Sequence, residues 1–157
     1  MPGPFLNRKN EASAMTKEQW EQEAKSVVDG YLERKDGHFD DTMCAHYHSC
    51  DYEEQSIAIE FTTQAWQRNE RDGIHGGAIA GMFDTACGVV ANFAAENEAA
   101  TSDMYVSYVR PLELGDHAIL KTWIVRNGRS MIRLRAEMFC KESGKLVATS
   151  VSNWIPL

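Results

Sequence analysis

Residues 78–95 constrain the fold more than any other stretch. Ala78, Ile79, Met82, Phe83, Ala86, Val89, Val90, Phe93 and Ala94 fill it at helical spacing. No face of the segment is consistently polar. A helix apolar all round must be buried in protein or in membrane. Its length allows a membrane span. However, Asp84 stands in its middle, no second candidate span accompanies it, and most of the remaining chain reads as amphipathic strands. Burial in a water-soluble core is therefore expected, with no membrane partner.

The strands are legible from alternation. Residues 55–63 put Ile57, Ile59 and Phe61 on one face. Residues 103–109 alternate around Met104, Val106 and Tyr108, and 118–126 include Ile119, Leu120, Trp123 and Val125. Asn127-Gly128 reads as a hairpin turn. Residues 130–140 alternate Ile132, Leu134, Ala136 and Met138 against Arg133, Arg135 and Glu137. Ser143-Gly144 turns the chain into a last strand, 145–155. Ahead of these, Thr16 and Gln19 form a capping box, with Met15 and Trp20 as its hydrophobic staple. Trp20, Ala24, Val27, Val28, Tyr31 and Leu32 continue an amphipathic helix that Gly37 is expected to stop. The reading is α+β: an antiparallel sheet wrapped around a long central helix, with an extra N-terminal amphipathic helix. Residues 1–15 are expected to be a flexible tail and 16–157 a single domain. A single curved sheet leaves two edges and an outer face, which oligomerisation commonly covers.

Charge narrows the partners. The net −7 is carried by residues 1–60, with 6 basic against 13 acidic side chains; residues 61–157 are neutral, with 10 of each. Global acidity argues against nucleic acid. The stretch 126–135 holds Arg126, Arg129, Arg133 and Arg135 with no acid. It reads equally as a solvated strand face or as a site for a small polyanion. Four irregularly spaced cysteines do not make a disulfide scaffold. Arg8 and Lys9 are not followed by an apolar signal core. A cytoplasmic protein is expected.

Chemistry concentrates at the start of the apolar helix. Gly76 and Gly77 let a ligand approach backbone N–H groups that lack intrahelical partners. Those donors and the helix dipole can hold a developing oxyanion. Asp84, inside the apolar segment, needs a partner or a job. Asn69 offers a carboxamide to orient a water or a carbonyl. Eight residues of helix span about 12 Å, whereas groups that serve one carbonyl lie within about 3 Å of it. Gly76 and Asp84 of one chain cannot share a carbonyl. If they cooperate, two chains related by a two-fold axis must supply them.

The run Asn69-x5-His75-Gly76-Gly77-x6-Asp84-Thr85-Ala86 resembles the signature of the phenylacetyl-CoA (aryl-acyl-CoA) type of hotdog thioesterases. Thr101-Ser102-Asp103-Met104 through Arg110-Pro111, Leu114-Gly115-Asp116, Asn127-Gly128-Arg129 and Gly144-Lys145-Leu146-Val147-Ala148 resemble later parts of that family, in the same order. The resemblance spans roughly residues 40–157. It implies a hotdog fold, dimers whose sheets join edge to edge, commonly a dimer of dimers, and acyl-CoA hydrolysis without cofactor or metal. Asp84 matches the essential carboxylate, as nucleophile or general base. Gly76 matches the N–H that polarises the thioester, Asn69 the positioning amide and His75 the supporting histidine. Thr101 matches a Ser/Thr that places the water. The N-terminal tail and helix are longer than the family pattern, and the segment before residue 55 is atypical.

Substrate contacts are expected from Gly77, from Met82 and Phe83 in the acyl pocket, and from Arg110, Arg126 and Arg129 at the CoA phosphates. Cys44, His46, His48 and Cys50 alternate like metal ligands. Along one straight strand they would span roughly 20 Å, too far for one tetrahedral ion. They read as ordinary core or interface side chains. Two other functions compete. A non-catalytic acyl-CoA sensor would suit a DNA-binding extension, which the acidic N-terminal region does not resemble. A hotdog dehydratase would carry a His-Phe-Pro-like motif, which the sequence lacks.

Overall fold

The computed structural model describes residues 15–157; the tail ahead of Met15 lies outside the described residues. The elements run α1 (Lys17–Leu32), a short 3-10 turn (Phe39–Thr42), β1 (Ala45–Asp51), β2 (Ser56–Thr62), α2 (Gly76–Ala95), β3 (Ala99–Tyr108), β4 (His117–Asn127), β5 (Ile132–Cys140) and β6 (Leu146–Pro156). The strands make one antiparallel sheet in the order β1-β2-β4-β5-β6-β3. The crossover between β2 and β4 carries α2 over the sheet and lays β3 on the far edge. Period-two alternation sends Ile57, Ile59, Phe61, Leu120, Leu134 and Met138 to the inner face, all at most 1% exposed. Met82, Phe83, Ala86, Val89 and Val90 of α2 pack there. Burying each of the larger side chains contributes about 1.5–3 kcal/mol. That outweighs the roughly 1 kcal/mol that each helical glycine costs. Gly88 shows why a glycine is used: a Cβ there would stand 3.3 Å from the Trp154 indole.

α2 is long and apolar enough to cross a membrane by length and composition, but 72% of its most apolar stretch is buried inside the protein. It is not buried on every side, as the sequence had suggested. Gly77 and Asp84, seven residues apart and on one side of the helix, are exposed.

α1 forms as its capping box requires, with Thr16 Oγ1 accepting from Gln19 N–H at 3.3 Å. It ends at Leu32, well before Gly37, which instead takes a positive φ of 81° in the following bend. Trp20, Ala24 and Val28 are buried. Trp20 stands edge-on to Phe93 at 5.1 Å, near the C-terminal end of α2.

β1 was not anticipated as a paired strand. Cys44 stays outside it at φ 52°, and a bulge between Tyr47 and Ser49 breaks the register. The Cys44–Cys50 quartet does not converge. His46 lies 3.8 Å from Glu60, His48 Nδ1 meets Ser49 Oγ at 2.9 Å, and Cys50 turns to Tyr47 and to the Glu21 carbonyl.

The expected Asn127-Gly128 hairpin is a longer loop, 128–131, closed by Gly128 N–H to the Met131 carbonyl at 3.0 Å. Asn127 instead donates from Nδ2 to the Ala94 carbonyl at 2.7 Å, so the strand end caps α2.

At the opposite end of the sheet, Glu142 accepts from the His117 ring at 2.6 Å and from the His117 backbone N–H. Hydrogen bonds from the His117 side chain, then from its backbone, pull the Glu142 carboxyl down to about 2 from its usual 4.5. A depressed carboxylate stabilises the fold above its unfolded value, and that contribution is lost as pH falls through the folded value. Thermal melts of wild type and Glu142→Gln should therefore converge as pH drops from 4.5 towards 2. Parallel curves would show that this contact adds nothing.

Candidate active site

The loop that delivers the helix start is held by its own backbone. Asn69 N–H donates to the Gly73 carbonyl at 2.8 Å, Ile74 N–H to Leu112 at 2.7 Å and His75 N–H to Gln67 at 2.7 Å. Asn69 Oδ1 is occupied by the Arg71 N–H at 2.8 Å, so its carboxamide has its NH2 group left to offer. His75 is the N-cap of α2, and its Nδ1 accepts from Gly77 N–H at 2.9 Å. That bond withdraws Gly77, expected above to touch substrate through its backbone. Gly76 N–H is left as the donor without an acceptor among the described residues. Tyr108, on the inner face at the end of β3, donates its hydroxyl to the Gly76 carbonyl at 2.8 Å. Its ring lies 3.4 Å from where a Gly76 Cβ would stand. Asn69, Glu70, Arg71, His75 and Gly76 line an open cleft of about 390 Å³.

The second group of residues lies two turns along the helix. Asp84 is exposed, and Thr101 Oγ1 donates to its Oδ1 at 2.9 Å. The sheet register explains how Thr101 gets there. Thr101 pairs with Trp154 and Asp103 with Asn153, so Ser102 is an extra residue in a bulge. Plain alternation from Met104 and Val106 would turn Thr101 to the outer face. The bulge re-aims it at α2.

The structure thus groups Asn69, His75 and Gly76 at the start of α2 and brings Thr101 to Asp84 two turns along it. α2 runs unbroken between them, which keeps the two groups about 12 Å apart along the axis. The other expected contacts fall elsewhere. Met82 and Phe83 are both 0% exposed and face the sheet, so one chain opens neither to a ligand. Arg110 lies at the Gly76 end, with its guanidinium on the Leu146 carbonyl. Arg126 and Arg129 lie at the Ala94 end, a full helix length from Gly76. Arg133 bonds Asn153 and Arg135 stacks 3.8 Å over Trp123, so these two belong to the solvated strand face. Tyr108 was missed as a site residue. Its inner-face position after Met104 and Val106 was the available signal.

A curved antiparallel sheet wrapped on one central helix, with polar groups at that helix's N-terminus and midpoint, defines a hotdog fold. Residues 73–147, which take in α2 and β3 to β5, match the family model of the Thioesterase superfamily. Among solved structures it is similar to the Escherichia coli PaaI protein from the phenylacetic acid degradation operon, at 18% identity and TM-score 0.76, covering 88% of this chain and 96% of that one. It is also similar to thioesterase superfamily member 2 from Mus musculus, at 17% identity and TM-score 0.72, covering 91% and 100%. A third is smu.793 from Streptococcus mutans bound to acetyl CoA, at 18% identity and TM-score 0.64, covering 71% and 86%. No curated protein sequence matches the chain.

Proposed function

We propose that the protein hydrolyses acyl-CoA thioesters as a homodimer, with Gly76 and Asn69 of one subunit facing Asp84 and Thr101 of the other. The observation that carries this is the split site. A free helix-N-terminal donor and an exposed carboxylate lie on one helix, too far apart to share a carbonyl. Two antiparallel copies of α2 would bring them together twice. The exposed edge of β3, next to Asp84 through Thr101, is a ready surface for that pairing. The same-fold structure bound to acetyl CoA supports a CoA thioester as substrate.

In this arrangement the thioester oxygen accepts from Gly76 N–H, and Asn69 Nδ2 steadies the substrate or the water. Asp84 either attacks the carbonyl carbon, giving a mixed anhydride that water then opens, or takes a proton from a water that attacks directly. In both routes the C–S bond breaks and the thiol leaves, so no metal or cofactor is invoked. Arg110 stands at the Gly76 end, and antiparallel pairing would bring Arg126 and Arg129 of the other subunit to the same end for the CoA phosphates. A dimer of dimers is part of the reading. Tyr105 and Val151, paired across β3 and β6, are 68% and 56% exposed on the outer face. A cytoplasmic setting suits the four cysteines, all free thiols, and the acidic chain suits no nucleic acid. Thiol release from a panel of aryl- and alkyl-CoA esters by the purified protein tests the activity. A protein that binds these esters without turnover would be a sensor instead.

A further inference from the structure

The N-terminal elements walk along α2 towards Asp84. Trp20 meets Phe93, the Tyr31 hydroxyl donates to Asp40 Oδ2 at 2.8 Å, and Thr85 Oγ1 donates to Asp40 Oδ1 at 2.5 Å. Asp40 thus ties the 3-10 turn both to α1 and to the residue after Asp84. One turn earlier, Gly81 admits the same 3-10 turn. A Cβ there would stand 2.7 Å from Met43 Cε and 3.0 Å from Phe39 Cζ. Gly81 and Thr85 stand about 60° and 100° around the axis from Asp84, on the same side. Burial, the Asp40 hydrogen bond and, more weakly, the charges of Asp40 and Asp84 push the Tyr31 phenol up to about 12. Met43 is fully buried, whereas Phe39 is 58% exposed. The turn is therefore anchored beside the carboxylate and holds out an apolar ring.

We infer that Phe39, seated on Gly81 and locked by Asp40, is the wall of the acyl pocket and sets which acyl groups the site accepts. This rests on the proposed site at Asp84. Met82 and Phe83, the residues first expected to line that pocket, face the core. Phe39, half exposed, lies against Gly81 on the side of the helix next to Asp84. An acyl group of one or two carbons would not reach the ring, while an aryl or long alkyl group would lie on it.

The test compares wild type, Phe39→Ala and Asp40→Ala on acetyl-, long-alkyl- and aryl-CoA. Kinetics should be paired with binding of non-hydrolysable thioether analogues of the same three. The two variants should lose about tenfold or more of the preference for aryl and long-alkyl over acetyl, as for a lost apolar pocket contact. The loss should appear mainly in KM and in analogue binding, with acetyl-CoA turnover little changed. Unchanged preference ratios in folded Phe39→Ala overturn the wall, whatever the activity. A wild type that binds the analogues selectively through Phe39 but releases no thiol overturns the hydrolase reading and leaves the wall standing.

Discussion

Asp84→Asn will lower hydrolysis of every acyl-CoA ester by about 10²–10⁴-fold, the range expected for losing a general base. A nucleophilic Asp84 would give a loss at least as large. The fold should survive. Asp84 is exposed, and among the described residues its hydrogen bond is accepted from Thr101. Asn keeps an oxygen that can accept that bond, at nearly the same volume. The melting temperature should hardly move, as for other surface substitutions. KM should also change little, since the carboxylate acts on the reacting centre and not on the CoA moiety. Thiol-release kinetics with a melt on the same sample give the answer. Turnover near wild type in a folded variant would remove Asp84 from the mechanism.

Gly76→Pro should lower kcat by about 10²–10³-fold, the loss typical of one oxyanion donor. Proline removes the N–H and little else at this position. Gly76 is the first residue of α2, where proline's fixed φ suits the helix and its missing N–H breaks no intrahelical bond. Proline requires an extended residue before it, and His75 already sits at φ −62° and ψ 137°. The nearest obstacle is the Tyr108 ring, 3.4 Å from the new Cβ. Gly76→Ala makes the same contact with Tyr108 but keeps the N–H, so it should retain most of the activity. Equal losses in the two variants would mean that crowding by Tyr108 matters and the N–H does not.

These residues were legible in the sequence to different degrees. The buried helix, the capping box on α1 and the inner faces of β2 and β5 followed from spacing alone, because apolar periodicity is a local signal. Of the residues picked out in β4, Ile119, Trp123 and Val125 turn to the outer face, and Ala118, Thr122 and Ile124 turn to the inner one. The conclusion that Gly76 and Asp84 cannot share a carbonyl also needed only helix geometry. Thr101 was harder, because its direction depends on a bulge at Ser102 that strict alternation hides. The exposure of Asp84 was misjudged. Small residues at Gly77, Ala80 and Gly81 read as apolar, yet they cover too little area to bury that side of α2. Phe39 and Asp40 lie in a segment with no period, and their place beside Asp84 comes from the docking of α1, a long-range contact.

The central claim is that each site is built from two chains. Asp84→Asn and Gly76→Pro should each be nearly inactive alone. When the two are coexpressed or refolded together in equal amounts, half the dimers should be mixed. Every mixed dimer then holds one site with an intact Gly76 from one chain and an intact Asp84 from the other. The mixture should recover about a quarter of wild-type activity per subunit. If mass spectrometry shows mixed dimers and activity stays at the sum of the two variants, the shared site is wrong.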